Sequence, residues 1–168
     1  GVGGTNSDAP TLAVNSISVN ENAGYAVFTV SLSNPSAIAT TVNLGLANGT
    51  ALAPADFTNS LEVSTNGGLT WVAASSATFA PGATSLLARV PVINDTLDEV
   101  NETFSLLATR VSGVTTNIGT SGTATIIDND STPVPTLDIK TVLEDNAASG
   151  NVLLNDTDAD GNVLSVTQ

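Results

Sequence analysis

Hydrophobic and polar residues alternate in short runs along most of the chain. Within residues 25–32, Phe28, Val30 and Leu32 alternate with hydroxyl side chains, and residues 85–93 repeat the same period. In a β-strand, successive side chains point to opposite faces, so this period gives each segment one buried and one solvated face. No window of comparable length has the period of about 3.6 that an amphipathic helix needs. The pattern therefore predicts strands and no helices.

Seven segments follow this pattern, and turn-forming residues separate them. The predicted strands cover residues 11–19, 25–32, 41–47, 76–79, 85–93, 102–111 and 122–128. Residues 61–75 are predicted to form a separate hairpin, because Asn66, Gly67 and Gly68 supply the positive φ angles of a tight turn. Trp71 follows this turn and is expected to cap the edge of the core. Short strands with frequent turns predict an all-β fold, an antiparallel β-sandwich.

The chain is predicted to contain one complete domain and part of a second. Residues 1–10 are interpreted as a linker and residues 11–130 as the β-sandwich. Residues 131–136, STPVPT, form a proline-rich linker, and residues 137–168 are too short to bury their own core well. They are interpreted as the N-terminal part of a second β-domain. Because the chain has no signal peptide and no Met, not even at position 1, we expect it to be a processed product or an excised piece of a longer protein.

The charge balance narrows the classes of partner. Lys and Arg total 3, Asp and Glu total 16, and the net charge is −13. Nucleic acids and anionic membranes need basic patches, so they are not expected as partners, whereas cations are. The absence of Cys and His removes disulfides, thiol nucleophiles and the usual zinc and copper ligands. The sequence contains no run of about 18 apolar residues, the length that a membrane-spanning helix would need.

Acidic residues concentrate at the ends of the predicted strands and in loops. In the first domain these are Glu21, Asp56, Asp95, Asp98, Glu99, Glu102, Asp128 and Asp130. Turns that follow alternate strands meet at one end of a sandwich, so these loops are expected to converge. Converging carboxylates repel, and Ca²⁺, which takes about 6–8 oxygen ligands in irregular geometry, would neutralise them better than Mg²⁺. A solvated acidic surface is the alternative.

The C-terminal segment contains a second acidic group. Its members are Glu144, Asp145, Asp156, Asp158 and Asp160. The last three alternate before Gly161, which is the spacing that opens an EF-hand loop. Position 12 of such a loop would be Thr167 rather than Glu, and no helical pattern flanks it, so an EF-hand is not predicted. Alternating Asp residues with a Gly turn still indicate oxygen ligands for a metal ion.

Several stretches of the chain resemble the Calx-β domain. They are VNENAGYAVFTVSLSN, PADF, FAPGATSLLARVPVINDTLDEVNETFSLL and GTATIIDND, and they cover about residues 12–130 in the family's order. The resemblance implies an immunoglobulin-like β-sandwich that binds Ca²⁺ at one pole. It implies ligand roles for Glu21, Asp56, Asp95, Glu99, Asp128 and Asp130. Asn94 and Asn129 stand where more acidic members carry Asp, which implies fewer or weaker ions.

Residues 137–168 resemble the start of the cadherin-like domains of bacterial adhesins. The stretch TVLEDNAASGNVLLNDTDADG carries this resemblance. A Calx-β unit followed by a cadherin-like unit is typical of large secreted bacterial surface proteins. The resemblance therefore implies an extracellular location at the bacterial cell surface and a role in cell adhesion or biofilm.

The sequence predicts a calcium-binding structural module of such an adhesin. Ca²⁺ at the loops between strands and between domains would stiffen the chain, and the partners would be calcium ions and neighbouring domains. The main alternative is a self-assembling subunit of a filament, sheath or surface layer that uses strand addition. A binding tip for glycans or proteins is a further alternative. No enzyme is predicted. Paired carboxylates could serve a glycosidase, but the chain has only 4 Phe, 1 Tyr and 1 Trp, which do not suggest a cleft lined by aromatic residues.

Overall fold

The computed structural model describes residues 9–166, and this part of the chain is all-β. Its ten strands are β1 (Leu12–Val14), β2 (Ile17–Asn20), β3 (Tyr25–Leu32), β4 (Thr40–Asn48), β5 (Glu62–Ser64), β6 (Val72–Ala73), β7 (Ser76–Phe79), β8 (Ser85–Pro91), β9 (Glu102–Ser112) and β10 (Gly119–Ile127). One 3₁₀ turn, Glu21–Ala23, lies between β2 and β3. The described residues contain no α-helix, as the periodicity predicted.

The described chain divides into two compact units. Unit 1 comprises residues 9–94 and Asn101–Ile127, and it contains all the strands. Unit 2 comprises Asp95–Val100 and residues 128–166. Within unit 2, an isolated antiparallel bridge joins Val134 to Thr157. No helix among the described residues has the length and apolar character to cross a membrane.

Unit 1 is a sandwich of two five-stranded sheets. One sheet has the order β1-β3-β8-β5-β6, and the other has the order β2-β10-β9-β4-β7. Neighbouring strands are antiparallel except β2 and β10, which run parallel. The predicted β-sandwich is therefore confirmed.

The core of unit 1 lies between the two sheets and follows the alternation in the sequence. Along β3, Ala26, Phe28, Val30 and Leu32 are buried, and the residues between them are more exposed. The Phe57 and Phe104 rings stack at 4.2 Å, and the Phe28 ring meets Phe104 edge-on at 5.9 Å. Burial of these rings supplies a large share of the apolar area that stabilises the sandwich.

The predicted strand over residues 11–19 is two strands in different sheets. Leu12 in β1 pairs with Leu32 in β3, whereas Ile17 in β2 pairs with Ala124 in β10. The chain crosses between the sheets close to Gly122, where a Cβ atom would collide with the carbonyl oxygen of Asn15. The prediction of one strand was wrong here: the apolar residues shift phase by one position between Val14 and Ile17, which marks a break in the strand, although the pattern does not say that the second half joins the other sheet.

The predicted hairpin forms between β5 and β6, with Glu62 opposite Ala73. Gly67 and Gly68 have φ angles of 71° and 89°, as the tight turn requires, whereas the positive φ angle predicted for Asn66 is not observed. The hydroxyl of Ser64 accepts a hydrogen bond from the Gly68 amide at 2.9 Å. These contacts fix the hairpin as an extension of the first sheet.

Trp71 covers the outer face of this sheet rather than the edge of the core. The Arg89 guanidinium lies 4.4 Å from the centroid of the Trp71 ring and 4.1 Å from that of Tyr25. Its Nε donates a hydrogen bond to Glu62 Oε2 at 2.6 Å. The indole therefore packs on a cation that β8 presents outward between the buried residues Ala88 and Val90.

Candidate metal sites

Three acidic residues of unit 1 lie on loops and strand ends that meet at one end of the sandwich. Glu21 follows β2, and Glu102 begins β9 opposite Ile126 near the end of β10. Since β2 ends beside β10, these two positions lie at the same end of their sheet. We refer to Glu21, Asp56 and Glu102 as the acidic end of unit 1.

Backbone hydrogen bonds bring the Asp56 loop to the same place. The Val92 amide donates to the carbonyl oxygen of Gly24 at 3.1 Å, and the Ile93 amide donates to that of Asp56 at 2.9 Å. The residues after β8 therefore tie the Asp56 loop to the turn that follows Glu21. Main-chain hydrogen bonds therefore hold the loops of the acidic end together.

Asp56 and Glu102 form a close pair of carboxylates within unit 1. Each offers an oxygen within 4.8 Å of the other's, and both side chains are half-buried. Asp56 Oδ2 accepts a hydrogen bond from the Leu52 amide at 2.6 Å, which fixes the side chain. Two oxygens that each lie about 2.3–2.6 Å from one Ca²⁺ ion can be at most about 5 Å apart, so this pair is close enough to share an ion. The pair can therefore bridge one cation.

Glu21 is a buried carboxylate at the same end of the sandwich. Only 7% of its surface is exposed, although it begins a short turn. A buried carboxylate needs hydrogen bonds, an opposite charge or a cation to offset the loss of its hydration. The sequence placed Glu21 in a turn but gave no indication of its burial.

Unit 2 places four other carboxylates near Asp130. Asp95 and Asp130 offer oxygens within 4.8 Å of each other. The pKa of Asp130 is raised above its ordinary value, first by partial burial and then by the negative charges of Asp128, Asp160, Asp95 and Asp158. Asp130 Oδ2 is sealed from solvent and has no hydrogen-bond partner among the described residues. A carboxylate in these surroundings favours a proton or a cation.

Asp158 is held in a tight turn that uses one of its oxygens. Asp158 Oδ1 accepts hydrogen bonds from the amides of Asp160 at 2.9 Å and Asn162 at 3.0 Å. Gly161, with φ of 78°, provides the positive angle in this turn. Asp158 Oδ2 is sealed from solvent and has no hydrogen-bond partner in residues 9–166. The turn therefore fixes the side chain and leaves one buried oxygen without a donor.

The remaining predicted ligands lie in unit 2 in more open positions. Asp98 and Glu99 are exposed in the Asp95–Val100 segment, and Glu144 and Asp145 are exposed farther along the chain. Asp156 Oδ1 accepts a hydrogen bond from the Thr136 amide at 2.6 Å, which is a structural role. Within the described residues, Asp98, Glu144 and Asp145 join no close group of three acidic side chains.

The sequence analysis missed how the acids of unit 2 are grouped. It assigned Asp95, Asp128 and Asp130 to one domain and Asp158 and Asp160 to another. In the structure all of them belong to unit 2, and their charges act together on Asp130. No spacing in the sequence signals this grouping, because it depends on how the chain after β10 folds back.

A sandwich of two β-sheets with acidic loops at one end places the chain in the class of immunoglobulin-like β-sandwich modules. The family model of the Calx-beta domain matches residues 6–132. The chain therefore belongs to the Calx-beta family, and the predicted resemblance over residues 12–130 is confirmed. No curated protein matches the chain at a significant level.

Two solved structures with the same fold are similar to the chain. The crystal structure of the calcium binding domain CBD12 of CALX1.1 is 23% identical, with a TM-score of 0.56 over 71% of this chain and 44% of that chain. The crystal structure of the apo-form Calx CBD1 domain is 20% identical, with a TM-score of 0.52 over 71% of this chain and 99% of that chain. The chain thus spans less than half of the first structure, and at these identities the likeness is one of fold.

Proposed function

We propose that the chain is a calcium-binding structural module. The observation that carries the proposal is the half-buried pair Asp56 and Glu102, whose oxygens lie within 4.8 Å of each other at the acidic end of unit 1. Membership in the Calx-beta family supports it, as does the similar structure that is named as a calcium binding domain. Catalysis is not part of the proposal.

The donor set fits Ca²⁺ better than other common metal ions. The candidate ligands are carboxylate oxygens, and the chain has no His or Cys to favour zinc or copper. Mg²⁺ demands a near-ideal octahedron, whereas Ca²⁺ accepts irregular sets of oxygen ligands. Asp130 Oδ2, sealed and without a hydrogen-bond donor, is an oxygen that a cation would satisfy.

The proposed mechanism is charge neutralisation. In unit 1 the proposed ligands are Glu21, Asp56 and Glu102, and in unit 2 they are Asp95, Asp128 and Asp130. Asp98, Glu99, Glu144 and Asp145 are proposed as outer ligands, because they are exposed. When calcium is bound, it supplies the positive charge that the three basic residues of the chain do not provide. Without it the carboxylates repel and the loops that carry them open more often.

We further propose that the module is a spacer in a large extracellular protein of a bacterial surface, such as an adhesin. The cadherin-like resemblance of residues 137–168 supports this context. Self-assembly by strand addition is less favoured, because such addition needs a long open edge. The edge strands in the described sandwich, β1, β2, β6 and β7, have only two to four residues each.

Titration calorimetry with CaCl₂ tests the proposed function. We expect heat from calcium binding in the intact chain and a weaker response to MgCl₂. The double variant Asp56→Asn with Glu102→Gln should lose at least tenfold in affinity at one site, because it removes both charges and keeps the side-chain sizes. Asp138→Asn is the matched control, since Asp138 is exposed and belongs to none of the candidate groups. Equal binding by the double variant and the control would contradict the proposed ligands.

A further inference from the structure

The outer face of the second sheet carries no charged side chain along its described strands. Its outward positions are Ser18 and Asn20 of β2, Gly119, Ser121, Thr123, Thr125 and Ile127 of β10, Thr103, Ser105, Leu107 and Thr109 of β9, Thr41, Asn43, Gly45 and Ala47 of β4, and Ser76 and Thr78 of β7. Glu102 pairs with the buried residue Ile126 and therefore lies on the inward side. Arg110 likewise pairs with the buried residue Val42. We refer to the outward residues as the neutral face.

The outer face of the first sheet has a different character. It presents Arg89 and Glu62, and the Trp71 ring packs on the Arg89 guanidinium. The neutral face has no such cover, because Asn43, Leu107 and most of its other residues stay exposed. Net charge of one sign keeps protein chains apart, and this chain has a net charge of −13. A wide face without charge is therefore a surface on which a second copy meets little repulsion.

The acidic end lies far from the centre of the neutral face. Glu102 begins β9, and Leu107 is the central residue of that strand. At about 3.4 Å per residue, the two positions are about 17 Å apart along an extended strand. The Debye length at physiological ionic strength is only about 8 Å. Salt therefore screens the carboxylates of the acidic end from the middle of the face.

The centre of the neutral face has a shape that can complement itself. β9 is the middle strand of the sheet, and Leu107 lies between Gly45 on one neighbouring strand and Ser121 on the other. Leu107 is 41% exposed. A Cβ atom added at Gly45 would meet no other atom within 4 Å, so the surface above this glycine is open. A large apolar side chain thus stands directly beside a dip.

The size of the neutral face fits a small dimer interface. Its strands contain 4, 9, 11, 9 and 4 residues. At about 3.3 Å per residue and about 4.8 Å between strands, they cover roughly 600 Å². Specific interfaces bury about 600–1,000 Å² per partner. The face lies at the lower end of this range, so we expect a reversible dimer.

We propose that the neutral face binds the same face of a second copy of the chain in a two-fold symmetric dimer. A two-fold axis between Leu107 and Gly45 seats the leucine of each copy in the dip of the other. Ser and Thr hydroxyls both donate and accept hydrogen bonds, so two identical faces can pair. The sheets pack face to face, and the short edge strands take no part. The inference is independent of calcium.

Sedimentation equilibrium of the full chain in EDTA tests the dimer from micromolar to millimolar concentration. We expect a monomer–dimer equilibrium that strengthens as NaCl rises, because salt screens the repulsion between two acidic chains. Leu107→Glu should weaken the dimer at least tenfold. Val27→Glu is the matched control, since Val27 is also 41% exposed and faces outward from the first sheet. It should associate as wild type does.

Gly45→Thr separates association from folding. Thr is favoured over Gly in strands, and the open space above Gly45 admits its side chain. The variant should therefore unfold at a higher denaturant concentration than wild type, although its filled dip weakens the dimer at least tenfold. Thr123→Glu is a second charge variant, because Thr123 is exposed on the same face. It should also weaken the dimer.

Three results would overturn the inference. The first is a chain that stays monomeric in EDTA at every concentration and salt. The second is a dimer that Leu107→Glu and Val27→Glu weaken equally, or that Gly45→Thr leaves unchanged. The third is a monomer that an insoluble neutral polysaccharide retains unless Leu107→Glu is present, which would assign the face to a glycan. Calorimetry with CaCl₂ on Leu107→Glu tests the proposed function separately, so either idea can fail alone.

Discussion

The two units of the chain differ in what holds them together. Unit 1 buries four Phe rings between two sheets, and its Phe57 and Phe104 rings stack at 4.2 Å. Unit 2 exposes Leu137 and Leu143 at 79% and 81% and gathers carboxylates around Asp130. Apolar packing holds unit 1, whereas no described residue of unit 2 is buried. We therefore expect unit 1 to be the stable scaffold and unit 2 to respond more to charge and to cations.

Removing a central ring should break unit 1 whatever the calcium concentration. Phe104→Ala deletes a fully buried ring that contacts Phe57 and Phe28, so we expect a loss of about 3–5 kcal/mol in the free energy of unfolding. Denaturant unfolding measures it. Leu107→Ala is the matched control on the same strand, because Leu107 is 41% exposed and its loss should stay within about 0.5 kcal/mol. Equal effects of the two variants would contradict the assigned core.

The Arg89 cluster on the outer face should contribute less. Arg89→Ala removes the cation between the Tyr25 and Trp71 rings and the hydrogen bond to Glu62, so we expect a loss of about 1–2 kcal/mol. Arg89→Lys should recover part of it, since the charge remains but the planar contact does not. Trp71 fluorescence during unfolding reports the change. No loss in either variant would show that the hairpin is held without this cluster.

Acid should favour unit 2 when calcium is absent. The pKa of Asp130 is raised by partial burial and by Asp128, Asp160, Asp95 and Asp158. A raised folded-state pKa means that the folded form binds the proton more tightly. In EDTA, the resulting stabilisation is therefore present at low pH and lost as pH rises through that pKa, above the ordinary 3.8.

Carboxyl-detected NMR measures this titration directly. We expect the Asp130 midpoint in EDTA to lie above 3.8 and to fall in Asp158→Asn, which removes one neighbouring negative charge. Saturating calcium should lower it further. A midpoint below the ordinary value in EDTA would contradict the crowding of carboxylates in unit 2.

The smallest effect is expected for an apolar residue of unit 2. Leu143 is 81% exposed, so Leu143→Ala should change the free energy of unfolding by less than about 0.5 kcal/mol. Denaturant unfolding measures it against wild type. A larger loss would reveal apolar packing in unit 2 and weaken the contrast between the units.

Much of the fold of unit 1 followed from the sequence. The predicted segments 25–32 and 76–79 coincide with β3 and β7, because alternation is a direct signature of a half-buried strand. The crossover near Asn15 and Ser16 did not follow, since it depends on Gly122 in a distant strand. Local pattern determined the strands, and long-range packing determined the sheet to which each belongs.

The acids were predictable by type and loop, but their grouping was not. Asp56 and Glu102 meet because the Ala51 amide donates to the carbonyl oxygen of Thr103 at 2.9 Å, which ties the Asp56 loop to the start of β9. Asp158 contributes its charge near Asp130 because the bridge from Val134 to Thr157 turns the chain back. Neither contact has a signature in spacing. Calcium as the bound ion is proposed from the chemistry of the oxygen donors and from membership in the Calx-beta family.

The most direct test of the central claim is a thermal melt of the chain in EDTA, in millimolar CaCl₂ and in MgCl₂. If calcium is present at about 100 times its Kd, each independent site should add about 2.7 kcal/mol. For a chain of this size that corresponds to a rise in Tm of roughly 5–10 °C per site. We expect such a rise with calcium and little change with magnesium. The same Tm in all three buffers would contradict calcium binding, and the acidic end would then be a solvated surface on a Calx-beta sandwich.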